Sequence, residues 1–498
     1  MQVDRTQMKK LKETKKWIVL LGQIHIIIGL VVYGLVYAND PSQFPVTSEE
    51  GLQIACNFFL VLVIWCFLSW YLLTNRLFDP YLIFLTSAIL FNGGQVILEV
   101  FQLNKEGFLN NLFSSEQSLV AVYFVTFGLC AMHFGAILSV VFSKINYPPN
   151  EVLNSESSNI PIHIVFRVGQ ILLYISILPT LVILIDTVRI FLTGGYASLY
   201  QQEQVTGVGA SASIIASFIF PGAFLVIAGG QGKSSSRQFA VFFILLYTCG
   251  KLVVGSRGAA VMPLLAMLWL WSSAVRPLSK VLLLLIAVVM LCVVFPLVGS
   301  TRNSQPGLSL ELVIETMTDI DNPMIASISE MGSSMSTVVW TMQLVPLVRP
   351  FALGMTYLVG ILVMVPNVFS QGRHPALTMS GYDISDFWLV REIDPLFADR
   401  GGSFGFSFIA EAYLNFGWAG IIFLGILGFL YGKFVDWGVR DRDPAKMAVI
   451  AIFVSFFLFY ARGASEMIFR PFLWYSMLPY LWMKYLNYLR KKSLIGSK

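Results

Sequence analysis

Long uninterrupted runs of apolar residues dominate the chain and are separated by polar segments, most of them short. Most runs extend over roughly 18–22 residues, the length that an α-helix needs to cross a bilayer. They do not alternate apolar and polar positions with a period of two, as the strands of a membrane barrel do. The pattern therefore predicts an all-α, polytopic transmembrane protein. The clear spans are predicted near 17–38, 52–73, 80–102, 118–142, 162–190, 211–230, 239–254, 259–274, 281–299, 406–433, 446–462 and 470–487.

Two shorter apolar segments, 334–347 and 351–368, precede the last three spans and are joined by the proline-rich turn VPLVRP. They form either a pair of short spans or a re-entrant hairpin that does not cross the membrane. The chain is therefore predicted to have about 14 crossings, or 12 if 334–368 is re-entrant. We predict one integral membrane domain over 1–498.

The composition excludes a soluble enzyme. Apolar residues make up 56% of the 498 and charged residues only 12%, far from the usage of a soluble domain of this size. All five cysteines lie in apolar runs, which argues against a disulfide framework and a thiolate metal site. No P-loop or GxGxxG pattern occurs, so we expect no nucleotide-driven reaction. We also expect no cofactor, no metal and no nucleic-acid partner.

The distribution of lysine and arginine predicts the orientation of the chain. The basic N-terminal tail and every second loop after it carry most of the positive charge, which predicts cytoplasmic N- and C-termini. The long polar loops 300–331 and 367–405 then face the extracytoplasmic side. Eight of the ten basic residues on that side are arginines. Arginine binds phosphate oxygens bidentately; the alternative is that these arginines simply pair with the acids of the outer loops.

Four of the outer arginines lie in turns beside predicted spans: Arg257 in GSRG, Arg302 in GSTRNS, and Arg462 and Arg470 in ARGASEMIFRPF. The glycines around Arg257 allow a tight turn and the close approach of a ligand. If these turns converge, their guanidinium groups line a cavity whose natural ligand is a pyrophosphate group. The alternative for GSRG is a plain hairpin turn with a snorkelling arginine.

A carboxylate, Glu411, lies at the mouth of the predicted span 406–433, one helical turn before Asn415. Burying a carboxylate in a membrane is costly unless a partner or a water-filled cavity receives it. Partial burial also gives a glutamate a pKa suited to a general base, so Glu411 is the first candidate for that role. Its alternative role is a carboxylate neutralised by Arg462 or Arg470. His374, in the preceding loop, is the second candidate for the base.

Residues of the loop 367–405, together with Asn415, are expected to bind saccharide through aromatic faces and hydrogen bonds. The loop candidates are Tyr382, Asp386, Trp388 and Arg400.

Four stretches of the chain resemble a known family: GSRGAAVMPLLA, EMGSSMSTVVWTMQLVP, FALGMTYLVGILVMVPN and GFSFIAEAYLNFGWAGIIFLGILGFLYG. They are similar to the Wzy-type polymerases, which join oligosaccharide repeat units in O-antigen and capsule synthesis. The resemblance covers residues 250–470 or thereabouts, and GFSxIAEAYxNFG is its most specific part. The first 240 residues share only their helices and an outer GGYASLYQQE segment.

The resemblance implies a GT-C-like membrane glycosyltransferase with its active site at the outer face of the bacterial cytoplasmic membrane. Its donor would be an oligosaccharide on undecaprenyl pyrophosphate, its acceptor a second lipid-linked repeat unit, and its partners a chain-length regulator and a flippase of the same pathway. Arg257 would be the best pyrophosphate ligand, followed by Arg302, Arg462 and Arg470. Glu411 belongs to the motif of the closing span. This motif contains no histidine, so a histidine base would have to be His374.

Two other functions compete with polymerisation. An O-antigen-ligase-like transferase would use the same donor and differ only in its acceptor. A flippase or other transporter of the lipid-linked glycan would show internal repeats and charges at the membrane midplane, and the sequence shows neither.

Overall fold

The computed structural model describes residues 5–39, 48–104, 107–143, 160–199, 208–303, 322–365, 367, 374–380 and 383–496. These residues form helices and the turns between them, with no strand among them. The predicted all-α fold is therefore confirmed. Helices α1 to α12 are Arg5–Asn39, Ser48–Thr74, Pro80–Val100, Phe108–Asn111, Ser115–Val141, Ile162–Ser198, Val208–Ala216, Ile219–Gly229, Ser234–Val253, Arg257–Ala274, Lys280–Val289 and Phe295–Asn303. Helices α13 to α23 are Pro323–Gly332, Met335–Leu344, Met355–Leu362, Pro375–Ser380, Ser385–Ile393, Pro395–Asp399, Phe408–Phe416, Gly420–Val439, Pro444–Phe457, Glu466–Pro471 and Leu478–Gly496.

Short polar side chains fix several helix starts. Asp79 accepts a hydrogen bond from the Tyr81 N–H before α3, and Asp443 does the same for α21. A proline follows each aspartate, where its fixed φ suits the first helical position. Ser114 and Gln117 bond each other's backbone at the start of α5, which satisfies two N–H groups that the helix leaves without partners.

Ten helices among the described residues are long and apolar enough to cross a membrane. Each overlaps a span predicted from the sequence. The predicted spans 259–274 and 470–487 fall on α10 and on the broken helix 466–496, which are helical but are not among the ten. The number of crossings stays a prediction.

The two short apolar segments contain only short helices. α14 has ten residues and α15 has eight. At the helical rise per residue, α14 reaches about 15 Å, roughly half the thickness of a bilayer's hydrocarbon core. Neither helix is long enough to cross alone, but α14 follows α13 after only two residues. Both alternatives for this stretch therefore stay predictions.

The backbone contacts divide the chain into two compact units. Unit 1 contains residues 1–148, 328–353 and 406–436. In it, α5 packs against α1, α2 and α3. Glycines let α5 and α20 approach each other closely, because a Cβ at Gly135 would overlap the Gly425 carbonyl oxygen. Small residues at such crossings are typical of membrane helices.

Unit 2 contains residues 149–327, 354–405 and 437–498. α6 and α8 pack along each other, and α21 packs against α8 and α10. All of α8 and nearly all of α21 is buried. Our prediction of a single membrane domain stays a prediction.

The predicted span 406–433 is not one continuous helix. The helix of Glu411, α19, ends after nine residues, a 3₁₀ turn over Gly417–Ala419 follows, and α20 then begins. Gly417 has a positive φ of 56°, a conformation that glycine adopts without strain. Glu411 therefore lies on a separate short helix.

Candidate functional site

Glu411 is fully buried in unit 1, with 0% of its surface exposed. It lies one turn after the start of α19, which Ser407 caps. The Ser407 hydroxyl oxygen accepts a hydrogen bond from the Ile409 N–H at 3.1 Å. The same hydroxyl donates to the side-chain oxygen of Asn92 on α3. The cap therefore holds the first turn of α19 and also ties it to a neighbouring helix.

The other end of α19 is held as well. The carbonyls of Leu414 and Asn415 accept hydrogen bonds from the N–H groups of Ala352 and Leu353, at 2.9 and 3.0 Å. These carbonyls have no partner within the short helix, so the segment after α14 satisfies them. α19 is thus bonded to other segments at both ends, and this fixes the position of Glu411.

Asn415, a predicted saccharide ligand, is also fully buried. Its side-chain nitrogen donates to the Glu411 carbonyl oxygen, one turn earlier, at 2.8 Å. This bond braces α19 from within. The saccharide role of Asn415 stays a prediction.

A polar face on α3 was missed by the sequence analysis. Asn92 and Gln95 are buried, and Glu99 lies one turn further along the same face. The Gln95 amide donates to the carbonyl and hydroxyl oxygens of Ser329, at 3.1 and 3.3 Å. The signal was present in the sequence, because polar residues at i, i+3 and i+7 of an apolar run form a single helical face.

Arg257 lies in unit 2 at the first position of α10 and is only 9% exposed. Its Nη1 donates to the Phe295 carbonyl oxygen at 3.0 Å, and its guanidinium lies 5.9 Å from the centre of the Phe295 ring. Gly255, two residues earlier, has a positive φ of 82°, which lets the chain reverse tightly between α9 and α10. The turn predicted for GSRG is therefore present, and its arginine is turned into the protein.

Arg462 ends the 3₁₀ turn Leu458–Arg462 that follows α21. Gly405 packs against it: a Cβ on Gly405 would lie 3.2 Å from the Arg462 Nε. The turn also contacts α10, since a Cβ on Gly258 would lie 3.3 Å from the Phe459 ring. The elements that carry Arg257 and Arg462 are thus neighbours in unit 2.

Arg470 lies on α22, which contacts the same 3₁₀ turn. Its Nε and Nη2 both donate to the Val363 carbonyl oxygen, at 3.2 and 2.8 Å, and the Trp474 indole donates to the Met364 carbonyl. These bonds satisfy carbonyls just past the end of α15. Arg470 therefore has a clear bracing role, and its role as a pyrophosphate ligand stays a prediction. The Arg302 side chain lies outside the described residues.

His374 uses both ring nitrogens locally. Its Nδ1 accepts from the Ala376 N–H at 3.1 Å at the start of α16, so its Nε2 carries the proton and donates to the Val365 carbonyl at 2.8 Å. A general base needs an accepting lone pair that faces the substrate. These contacts favour a structural role, in which His374 holds the local backbone, over the general-base role. The general-base role stays a prediction.

The outer-loop candidates lie on and around α17 and α18 in unit 2. Trp388 is buried, and Asp386 accepts a hydrogen bond from the Ser403 hydroxyl at 3.3 Å. Burial raises the pKa of the Asp386 carboxyl above its usual value, although hydrogen bonds from Phe387 N–H and Ser403 oppose the shift. Arg400 is exposed just past the end of α18. Tyr382 lies outside the described residues.

Within the part of the chain that the structure describes, no three His, Cys, Asp or Glu side chains form a group that could hold a metal ion.

Comparison with known families adds a decisive observation. A family model described as O-antigen polysaccharide polymerase Wzy matches residues 19–492, nearly the whole chain. The chain belongs to the Wzy family. No curated protein and no solved structure matches it. The resemblance noted for residues 250–470 is confirmed, and it extends over most of the N-terminal half.

Membership in the Wzy family assigns the chain to polysaccharide biosynthesis, as a transferase of the O-antigen polymerase type. Together with the ten apolar helices, it indicates a multi-pass membrane protein. The Wzy family acts on lipid-linked oligosaccharide repeat units.

Proposed function

We propose that this Wzy-family chain polymerises undecaprenyl-pyrophosphate-linked oligosaccharide repeat units at the outer face of the bacterial cytoplasmic membrane. The donor glycan leaves its undecaprenyl pyrophosphate and is joined to a second lipid-linked repeat unit. A flippase of the same pathway supplies the repeat units, and a chain-length regulator acts with the polymerase.

The observation that carries this proposal is the meeting of three arginine-bearing elements in unit 2. The start of α10 with Arg257, the turn that ends at Arg462 and the helix of Arg470 contact one another in turn. Gly258 and Gly405 allow the close approaches, and Gly255 allows the tight turn before α10. The oxygens of a diphosphate group are well matched by guanidinium forks, and we assign Arg257 and Arg462 to the pyrophosphate.

The proposed reaction needs little from the protein beyond positioning and charge. A hydroxyl oxygen of the acceptor sugar forms a bond to the anomeric carbon of the donor glycan, and the bond from that carbon to the pyrophosphate oxygen breaks. The bonding electrons leave with undecaprenyl pyrophosphate, whose growing charge the arginines stabilise. The proton of the attacking hydroxyl passes to a carboxylate, and we assign this role to Glu411.

Glu411 is favoured over His374 as the base by its surroundings. Its helix is bonded at both ends, which holds the backbone of Glu411 in one position, as suits a residue that must be oriented toward its substrate. His374 would first have to give up its bond from Ala376. Trp388, Asp386 and Arg400 remain the proposed saccharide contacts of the outer loop.

The experiment that tests the proposal uses the purified full-length chain in lipid with undecaprenyl-pyrophosphate-linked repeat units, isolated from cells that lack this chain. A ladder of products that differ by one repeat unit is the expected result. Transfer only to a lipid A core would instead support the ligase-like function. Movement of repeat units across the membrane without a change in glycan length would support the transporter. Either of these two results would refute polymerisation.

A further inference from the structure

A second basic cluster lies in unit 2, away from the arginines discussed above. His163 and Arg167 stand one turn apart at the start of α6, and both are exposed. α23 packs against α6, and the Arg490 guanidinium of α23 lies close enough to His163 to interact with it electrostatically, as Arg167 does. Two helices therefore bring three basic side chains to one place.

The link between α8 and α9 adds more positive charge to the same end of α6. Gly229 lets the end of α8 touch the first turns of α6, because a Cβ there would lie 2.6 Å from the Phe166 backbone nitrogen. Lys233 then places its ammonium 3.7 Å from the centre of the Phe166 ring. The Arg237 Nε donates to the Ile227 carbonyl at 3.0 Å, which anchors the link.

These segments contain no compensating acid. Residues 160–185, 204–310 and 478–498 include neither aspartate nor glutamate. Like charges held together without an acid among these segments repel one another, and a bound anion relieves that repulsion. The cluster is therefore suited to a ligand that carries a phosphate group.

Exposed apolar side chains continue along α6 and α23 from the basic cluster, and they indicate the kind of ligand. On α6, Ile171, Tyr174 and Leu178 follow Arg167 on the same helical face and are 47%, 57% and 70% exposed. On α23, Tyr485 and Leu489 are exposed beside Arg490. Inorganic phosphate has no apolar part that could contact this surface. A phospholipid, in contrast, places its head group on basic residues and its acyl chains along apolar ones.

We propose that the surface of His163, Arg167, Lys233 and Arg490 binds the phosphate head group of an anionic phospholipid, with an acyl chain along Ile171, Tyr174 and Leu178. This site does not depend on the substrate that the chain polymerises. It anchors α23, the last helix, to α6 through a lipid that bridges both.

The test measures unfolding temperature of the full-length chain in neutral detergent during titration with phosphatidylglycerol, with phosphatidylcholine or with inorganic phosphate. We expect stabilisation by phosphatidylglycerol alone.

Each basic residue near a membrane surface contributes about fivefold to affinity for an anionic lipid, so the double variant Arg167→Gln with Arg490→Gln should need about 25-fold more phosphatidylglycerol. The double variant Arg276→Gln with Lys280→Gln removes the same charge from exposed positions elsewhere in unit 2 and should titrate like the unmodified chain.

Several results would overturn the proposal. These are equal stabilisation by phosphatidylcholine, equal stabilisation by inorganic phosphate, or the same titration shift in both double variants. If the Arg167→Gln and Arg490→Gln variant does not fold, the single variants Arg167→Gln and Arg490→Gln take its place. Each should need about fivefold more phosphatidylglycerol, and an unchanged titration in both would count against the site.

Discussion

Unit 1 and unit 2 both bury charged groups, but they hold them in different ways. In unit 1, Glu411 lies on a nine-residue helix that is bonded to other segments at both ends. In unit 2, the arginines lie on three separate elements that meet at glycines, and backbone carbonyls orient two of them. The carboxyl group of unit 1 lies on a short helix that hydrogen bonds hold at both ends, whereas the arginines of unit 2 lie on elements that packing brings together.

The difference teaches what each group is suited to do. The polar residues that fix the Glu411 helix, Ser407, Asn92 and Asn415, are uncharged, and their hydrogen bonds hold its backbone and its neighbouring helix. The planar guanidinium of Arg257 presents its N–H donors in a fixed fork, and its proposed role depends on the geometry of these donors. We therefore expect the loss of the carboxyl group to matter most at Glu411, and changes in side-chain shape to matter most around the arginines.

The largest effect is expected from Glu411→Gln, which removes the carboxyl group that would accept the proton and keeps the shape of the side chain. Loss of a general base typically costs 10²–10⁴-fold, so we expect kcat for polymerisation to fall about 1000-fold. Donor binding should be unchanged, as measured by retention of the lipid-linked repeat unit. Glu392→Gln, at an exposed position of α17, is the matched control. A Glu411→Gln variant with normal chain growth would place the base elsewhere.

Arg257→Lys makes the opposite change, because it keeps the charge and removes the fork. Loss of one preorganised donor to a developing anion costs about 100-fold or more, and we expect a decrease of about that size in kcat/KM. The control is Arg189→Lys, at an exposed position of α6, which should retain full activity. Full activity of Arg257→Lys, with normal expression, would exclude the pyrophosphate role.

Gly405→Ala tests whether close packing around Arg462 matters. Gly405 and Gly232 have nearly the same positive φ, 72° and 73°, so alanine costs about 1 kcal/mol of backbone strain at either position. Only at Gly405 would the added Cβ meet Arg462; at Gly232 there is nothing within 4 Å. We expect activity to fall about tenfold in Gly405→Ala alone, through displacement of the guanidinium by tenths of an ångström. Equal activity in the two variants would show that the contact with Arg462 is irrelevant.

The sequence predicted the helices well and their breaks poorly. Apolar runs determine where a chain can cross a bilayer, so the ten candidate spans each overlap a predicted one. The break at Gly417 was hidden because the residues on both sides are apolar, although Asn415 and Gly417 are typical of a helix end. Glu411 was recognisable because a carboxylate in an apolar run is costly.

The partners of the arginines could not be predicted, since they lie far away along the chain. The Arg470 guanidinium bonds a carbonyl 107 positions earlier, and no local pattern signals a backbone acceptor. Arg462 contacts a glycine from another segment for the same reason. The sequence shows which side chains are able to bind phosphate. The packing of distant segments determines which of these side chains instead donate hydrogen bonds to backbone carbonyls.

Arg470→Gln tests whether the hydrogen bonds from Arg470 to the Val363 carbonyl stabilise the fold. Its two hydrogen bonds to the Val363 carbonyl are charge-assisted, and losing them should cost about 1.5–3 kcal/mol of stability. We expect a lower unfolding temperature and, for the protein that remains folded, activity within about threefold of normal, because the charge-assisted bonds serve stability. Arg391→Gln, which breaks an exposed ion pair with Asp383, should leave both quantities unchanged. A loss of activity without a loss of stability would restore Arg470 to the pyrophosphate site.

The smallest effect is expected at Asp386, whose carboxyl pKa is raised by burial above the usual value of 3.8. The folded chain then holds this proton more tightly than the unfolded chain, so stability decreases as the pH rises from 3.8 through the folded pKa. An asparagine side chain at this position has no such proton to lose. The unfolding temperature of Asp386→Asn relative to the unmodified chain should therefore be higher at pH 7 than at pH 4.

A control on the same loop shows whether the effect of Asp386→Asn on the unfolding temperature comes from burial of the carboxyl or from its hydrogen bonds. Asp394 accepts a hydrogen bond from the Phe397 N–H at the start of α18, so Asp394→Asn changes a cap and not a buried carboxyl. It should show no comparable gain at pH 7. If Asp386→Asn gains no stability at pH 7 but loses saccharide binding, burial of the carboxyl does not govern the stability of the chain, and Asp386 serves as a saccharide contact.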